Sequence, residues 1–174
     1  PFTETGGAGE VHDVFGTTPA VELALWQFLL GIDLVRTYDV EERPLDDPLR
    51  NALADVRGYA VRAVYDEQWL RVLDVEAALA GRTYRPGAPV RIAVTDPWFS
   101  DNDGVYEIAG GGAHRVAGVA DLTVDIATLS AAYLGSTSWY SLAAVGRVAG
   151  DADAVARADD LFVHRPFAWC GSHF

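Results

Sequence analysis

Between Leu73 and Pro89 the hydrophobic pattern of this chain stops and starts again, and that break constrains the fold more than any other feature. Gly81, Pro86, Gly87 and Pro89 punctuate the stretch, and such residues interrupt helices and central strands alike. The chain therefore reads as two structural halves divided near residue 74 rather than as one continuous alternation of elements.

Ahead of the break, helix and strand signals are mixed. Thr18 reads as an N-cap, Pro19 as the first helical residue and Glu22 as a first-turn acid. Val21, Leu25, Phe28, Leu29 and Ile32 then recur on one helical face, which predicts a helix packed on a core through that face. Leu34 to Glu41, and more weakly Glu10 to Phe15, read as strands. Gly6-Gly7-Ala8-Gly9 reads as a flexible lead-in, since no strand precedes it and no Lys-Ser or Lys-Thr pair follows to make a phosphate loop. Asp46-Asp47-Pro48 opens a short helix ending before Asp55, with the two acids as capping residues. Tyr59 to Tyr65 and Trp69 to Asp74 are β-rich runs around Asp66-Glu67-Gln68, which predicts a hairpin. Asp74 caps a helix from Val75 to Ala80, and Gly81 ends it.

Beyond the break, Val90, Ile92 and Val94 alternate with Arg91, Ala93 and Thr95, the pattern of a half-buried strand. Asp103-Gly104 reads as a hairpin turn into Val105 to Ile108. Strands are expected at His114 to Ala117 and Leu122 to Val124, and helices at Ile126 to Leu134, Ser138 to Ala144 and Ala152 to Leu161. A small sheet followed by helices is an α+β arrangement.

Charge narrows the function classes. With 13 Lys and Arg against 25 Asp and Glu, the net charge is −12. That disfavours nucleic acid and anionic membrane, which are bound through clustered cations. An acidic field favours cationic ligands such as polyamines or amino sugars, or serves solubility alone. Cys170 is the only cysteine, so no intrachain disulfide is expected and the cytoplasm is the simpler location. The four histidines never fall at helical ligand spacing, so no metal is expected. No apolar run approaches 20 residues and no signal peptide is legible. The chain begins at Pro1 and contains no methionine, so a natural start is expected to lie upstream.

Several motifs read best as structure. Phe99 to Gly104 lacks the acids an EF-hand needs at Phe99 and Gly110, which leaves a solvated turn. Gly135-Ser136-Thr137-Ser138 lacks the second glycine of a nucleophile elbow, and Ser136 or Thr137 reads as a helix cap. The stripe of Ile126, Leu129, Tyr133 and Leu134 suits core packing, with a lipid pocket as the alternative. Arg157, Asp159, Asp160 and Arg165 read as a solvated face.

The terminus is different. Arg165 to Phe174 carries Phe167, Trp169 and Phe174 up to the last residue, where chains are usually small or polar. Such a tail is expected to be buried, which delivers its α-carboxylate to a fixed place. Burial would raise the carboxylate's pKa and make it a better base. His173 beside it titrates near neutrality when unperturbed and is positioned to help carry a proton. A docked structural tail and a functional carboxylate both fit these residues.

From about Glu10 onward the chain resembles the C-terminal part of the enhanced intracellular survival (Eis) family of acetyltransferases. The resemblance rests on Ala24-Leu25-Trp26, Gly31-Ile32-Asp33, Asp47-Pro48-Leu49, Ala54-Asp55-Val56-Arg57, Asp66-Glu67-Gln68-Trp69-Leu70-Arg71, Ala77-Ala78-Leu79, Arg82-Thr83-Tyr84 and Tyr133-Leu134-Gly135. It implies that residues 1–74 end a second, degenerate GNAT-type fold and that residues 75–174 form a sterol-carrier-protein-like domain. It implies an acetyl-CoA-dependent N-acetyltransferase whose acetyl-CoA-binding fold lies outside this chain, so the chain alone is expected to be inactive. Aminoglycosides or lysine-like amines are the implied acceptors, and a ring-like hexamer is the implied assembly. Phe174 matches the family's terminal residue, whose carboxylate acts as general base. Asp66 matches an acidic residue at the acceptor site. His173 stands where relatives often carry an acid. The other implied roles are binding of an apolar, sterol-like ligand, or a structural part in oligomerisation.

Overall fold

The computed structural model describes residues 7–66 and 68–171. These form two compact units, one of residues 7–66 together with 169–171, the other Gln68–Ala168. The change of unit thus precedes the expected division at 74/75. Arg71, Val72 and Leu73 are already bonded into the second unit: Arg71 pairs with Asp96 at 2.6 Å, the Val72 N–H donates to Ser130 Oγ at 3.1 Å, and the Leu73 carbonyl accepts from Asn102 Nδ2 at 3.1 Å.

In the first unit, β1 (Gly7–Val11), α1 (Pro19–Leu30) and β2 (Val35–Val40) make a βαβ unit. Its strands pair in parallel, which requires a crossover such as α1. The glycine run that reads as a loose lead-in therefore begins the sheet. A Cβ at Gly9 would stand 2.7 Å from the Tyr38 ring, so glycine lets that ring lie against β1. Thr18 caps α1 as expected, its Oγ1 accepting from the Val21 N–H at 3.3 Å. Of the expected face of α1, Leu29 packs against the core of Val11, Trp26 and Leu49, but most of that face is not the buried one. Trp26 is 2% exposed, whereas Phe28 is 71% exposed and Val21, Leu25 and Ile32 also reach solvent.

α2 (Leu49–Ala52) and a 3-10 turn (Val56–Gly58) follow. The expected hairpin does not form: residues 59–66 and 68–72 have no strand assignment. Its two halves belong to different units, and β-rich composition makes a strand only where a ladder partner exists. Tyr65 and Trp69, 77% and 85% exposed, are left uncovered.

The second unit opens with α3 (Val75–Ala80), capped by Asp74 Oδ1 on the Ala77 N–H at 2.9 Å. A five-stranded sheet of order β5-β4-β3-β6-β7 follows, from β3 (Val90–Thr95), β4 (Gly104–Ala109), β5 (Gly112–Val116), β6 (Leu122–Asp125) and β7 (Ala149–Gly150). β3 pairs antiparallel with β4 and parallel with β6. Val90, Ile92 and Val94 all point into the core, as their alternation requires. Asp103-Gly104 is not a two-residue turn. An eight-residue connection from Asp96 to Asp103 joins β3 to β4, and Asp103 Oδ1 closes it by accepting from the Asp96 N–H at 2.7 Å.

α4 (Ile126–Tyr133), α5 (Trp139–Ala144) and α6 (Ala152–Phe162) complete the core. Asp125, Ser138 and Asp151 cap them, so the α5 cap is Ser138 rather than Ser136 or Thr137. Ile126 and Leu129 are buried in the core, and Trp139 meets Phe162 edge to face at 5.0 Å. Most of the α4 stripe is thus core packing, with Tyr133 partly buried against it and Leu134 46% exposed. Asp159 also departs from a solvated face, since its Oδ1 accepts from the Trp139 N–H at 2.7 Å.

Candidate functional site

The site residues read from sequence are placed unequally. His173 and Phe174 lie outside the described residues. Asp66 is described and solvent-exposed at the end of a run with no assigned helix or strand. What the structure shows in detail is how the tail leaves the second unit.

α4 and α6 end side by side, and each leaves carbonyls without helical partners. The Arg82 guanidinium answers both ends: one amino group donates to the Tyr133 carbonyl and the other to the Phe162 carbonyl. A cation is favoured at the negative end of a helix dipole, and here one cation serves two. Its carbon lies 4.5 Å from the Phe162 ring centroid and 5.2 Å from that of Tyr84. Tyr84 and Tyr133 are held in turn by hydroxyl bonds to the Leu79 carbonyl at 2.8 Å and the Ala78 carbonyl at 2.9 Å. Burial pulls the Arg82 pKa below its ordinary value, Tyr84 and Tyr133 partly offset this, and a guanidinium remains charged throughout.

Gly135 completes this root. Its φ of +77° is a conformation side chains resist, and a Cβ there would meet the Phe162 carbonyl and lie 2.8 Å from the His164 nitrogen. The His164 N–H donates to the Gly135 carbonyl at 3.3 Å. Beyond it, His164 Nδ1 lies 3.0 Å from the Pro166 carbonyl, and Arg165 stacks 3.9 Å over the Phe167 ring. Residues 169–171 belong to the first unit. The described tail is less covered than its composition suggests: Trp169 is 45% exposed and Phe167 and Cys170 are half-buried. Local stacking absorbs part of its apolar surface.

Two polar clusters escaped the sequence reading. In the first unit, Arg43 bonds Asp47 Oδ2 at 2.8 Å, the Val14 carbonyl at 3.1 Å and the Glu22 carboxylate, with Trp26 facing its guanidinium. Asp47 also accepts from the Leu49 N–H at 2.9 Å and the Tyr59 hydroxyl at 3.2 Å. Burial raises the Asp47 pKa, but these bonds and the Arg43 charge outweigh it and hold the carboxyl below its usual range. In the second unit, Asn102 Oδ1 accepts from the Val75 N–H at 3.0 Å, while its Nδ2 donates to Asp96 at 2.9 Å. Burial raises the Asp96 pKa too, and Asn102, the Trp98 and Phe99 N–H groups and Arg71 together bring it below the usual range. The segment read as a solvated turn is exposed at Phe99, Ser100, Asp101 and Asp103, and within it Asn102 alone is a buried tie. Spacing did not reveal either cluster, because the partners come from distant segments.

Among the described residues, no group of three His, Cys, Asp or Glu side chains is placed to hold a metal ion. Gly7–Val11 is occupied with ladder bonds to β2, which leaves no glycine-rich cradle for a pyrophosphate there.

An acetyltransferase (GNAT) domain profile matches residues 2–78, and a sterol carrier protein domain profile matches residues 75–171. The crystal structure of Eis1 from Mycobacterium abscessus matches 99% of this chain and 44% of its own, with a TM-score of 0.93 and 36% identity. The chain belongs to the Eis-like N-acetyltransferase family. Its architecture is the Eis-like one, a GNAT-type acetyltransferase fold with a sterol-carrier-like domain, α+β throughout. An uncharacterized N-acetyltransferase of Streptomyces coelicolor is 36% identical over 82% of this chain and 35% of its own length. The N-acetyltransferase Eis of Mycobacterium tuberculosis is 29% identical over 87% of this chain and 38% of its own. This chain therefore spans well under half the length of these relatives. No helix among the described residues is long and apolar enough to cross a membrane.

Proposed function

We propose that this chain is the C-terminal portion of an acetyl-CoA-dependent N-acetyltransferase, to which it contributes the α-carboxylate of Phe174 as general base. The observation that carries this reading is the return of residues 169–171 to the acetyltransferase-type unit after the whole second unit has intervened. A terminus brought back to that unit is available to the chemistry, whereas a loose end is not.

An amine that attacks a thioester must lose a proton at about the time the new bond forms. A carboxylate within hydrogen-bond reach, directly or through one water, takes it. Asp66 supplies negative charge toward a cationic acceptor such as an aminoglycoside or a lysine-like amine, and His173 contacts the same acceptor. Acetyl-CoA binds outside this chain, and no residue here is assigned as the acid for the leaving thiolate. A preceding acetyltransferase fold would cover the open face of α1 together with Val61, Val64, Tyr65 and Trp69, which are apolar and exposed here. We place the complete protein in the cytoplasm as a homo-oligomer, a hexamer by its family, with neither nucleic acid nor membrane among its partners.

The test is made at the last atom of the complete protein. Adding one glycine after Phe174 moves the carboxylate by a residue and leaves every side chain in place, and deleting Phe174 moves it the other way with loss of the ring. Acetylation of kanamycin and of a lysine peptide by acetyl-CoA is expected to be lost in both variants. Unchanged turnover in both would remove Phe174 from the mechanism.

A further inference from the structure

We propose that Arg82 is a positioning residue for the C-terminal tail, fixing the point and direction in which it leaves the second unit. This rests on the carboxylate role assigned to Phe174. The geometry is specific to that task. Arg82 joins the last residue of α4 to the last residue of α6 through their carbonyls, and the tail begins at the next residue. Gly135, immediately past the end of α4, lies against both the Phe162 carbonyl and the His164 nitrogen. One guanidinium and one glycine thus hold the final turn of α6 and the first tail residues against the end of α4.

A tail of about ten residues amplifies error at its root. A small change of angle at Phe162 displaces atoms many residues further on, and a misplacement of about 1 Å at a reacting group costs up to about 100-fold in rate. Lysine in place of arginine keeps the charge but cannot present a planar fork to two carbonyls at once. Arg82→Lys is therefore expected to loosen the root without removing the cation. Gly135→Ala keeps the arginine but disturbs the same junction, since the added Cβ would meet the Phe162 carbonyl and lie 3.1 Å from the Arg82 guanidinium.

Both variants are made in the complete protein and read in two ways. Release of the terminal phenylalanine by carboxypeptidase reports tail placement whatever the tail does. Kinetics with kanamycin and acetyl-CoA report its use. Faster release in both variants, with a retained cooperative melting transition, is expected. So is a fall of about tenfold or more in kcat with the KM for acetyl-CoA unchanged, because only the proton-accepting group has moved. In a background lacking Phe174, Arg82→Lys should cause no further loss. Wild-type release rates and wild-type kcat in folded variants would overturn the proposal. Loss of the melting transition in both would also overturn it, making Arg82 a residue of the fold alone. If deletion of Phe174 leaves turnover intact, the carboxylate reading fails while the release experiment still decides whether Arg82 anchors the tail.

Discussion

Asp47 shows how one carboxylate tolerates near-complete removal from water. Its side chain is 3% exposed, and it stays ionised because Arg43, the Leu49 N–H and Tyr59 replace the lost hydration. Since its folded pKa is depressed, its contribution to stability is fully present above the unfolded value of about 3.9 and is lost as pH falls through the folded value. Urea midpoints measured from pH 6 down to pH 2 should therefore show Asp47→Asn less stable than wild type near neutrality, with the gap closing in acid. A constant gap would mean that shape, not charge, matters at this position. Truncating the partner is harsher. Arg43→Ala leaves Asp47 buried and unpaired, and a loss of about 3–5 kcal/mol is expected in chemical denaturation.

The buried amide of Asn102 behaves similarly without a full charge. Its two ends hold the first N–H of α3 and the Leu73 carbonyl, so Asn102→Ala leaves both unpartnered at about 1–3 kcal/mol each. Neither residue was legible as a hub in the sequence. Asp47 was read as a cap, which its bond to the Leu49 N–H partly satisfies, but Glu22 lies 21 residues from Arg43 and no local pattern links them.

Among elements, β3 and α1 mark the two limits of legibility. The alternation in β3 names its inward residues correctly because a strand's two faces are decided locally, two residues at a time. The periodicity in α1 finds the helix but not its buried side. It identifies apolar positions, and those are spread so widely that which stripe packs depends on what lies opposite. Trp26 faces the core while Phe28 does not. The two substitutions should therefore separate in this chain: Trp26→Ala is expected to cost about 3–5 kcal/mol in thermal or urea unfolding, and Phe28→Ser less than about 0.5 kcal/mol. A Phe28→Ser loss as large as that of Trp26→Ala would place Phe28 in a core. β1 escaped the reading for a different reason, since Gly7 and Gly9 carry no side chain in which a pattern could be written. Arg82 escaped it because its carbonyl partners lie 51 and 80 residues away.

For the whole molecule, the Leu73–Pro89 punctuation is local and so was legible, but the change of unit lies ahead of it and residues 169–171 group with the first unit, neither of which a local pattern could show. The same composition that marked the terminus as unusual gave no indication of the unit it joins. If the proposed division of labour holds, this chain by itself should release no CoA from acetyl-CoA in the presence of kanamycin, and turnover should require the acetyl-CoA-binding fold in the same protein. Release of CoA by the isolated chain would show that the necessary site is already contained within it.

The return of residues 169–171 to the first unit also orders events in time. The 101 residues of Gln68–Ala168 leave the ribosome before residues 169–171 do, so the first unit waits for these contacts until the second has been synthesised. Closing so long a loop adds little entropy per residue, but it makes this joining among the most non-local steps in folding. A ribosome that stops early would leave the second unit able to fold and the first one unfinished.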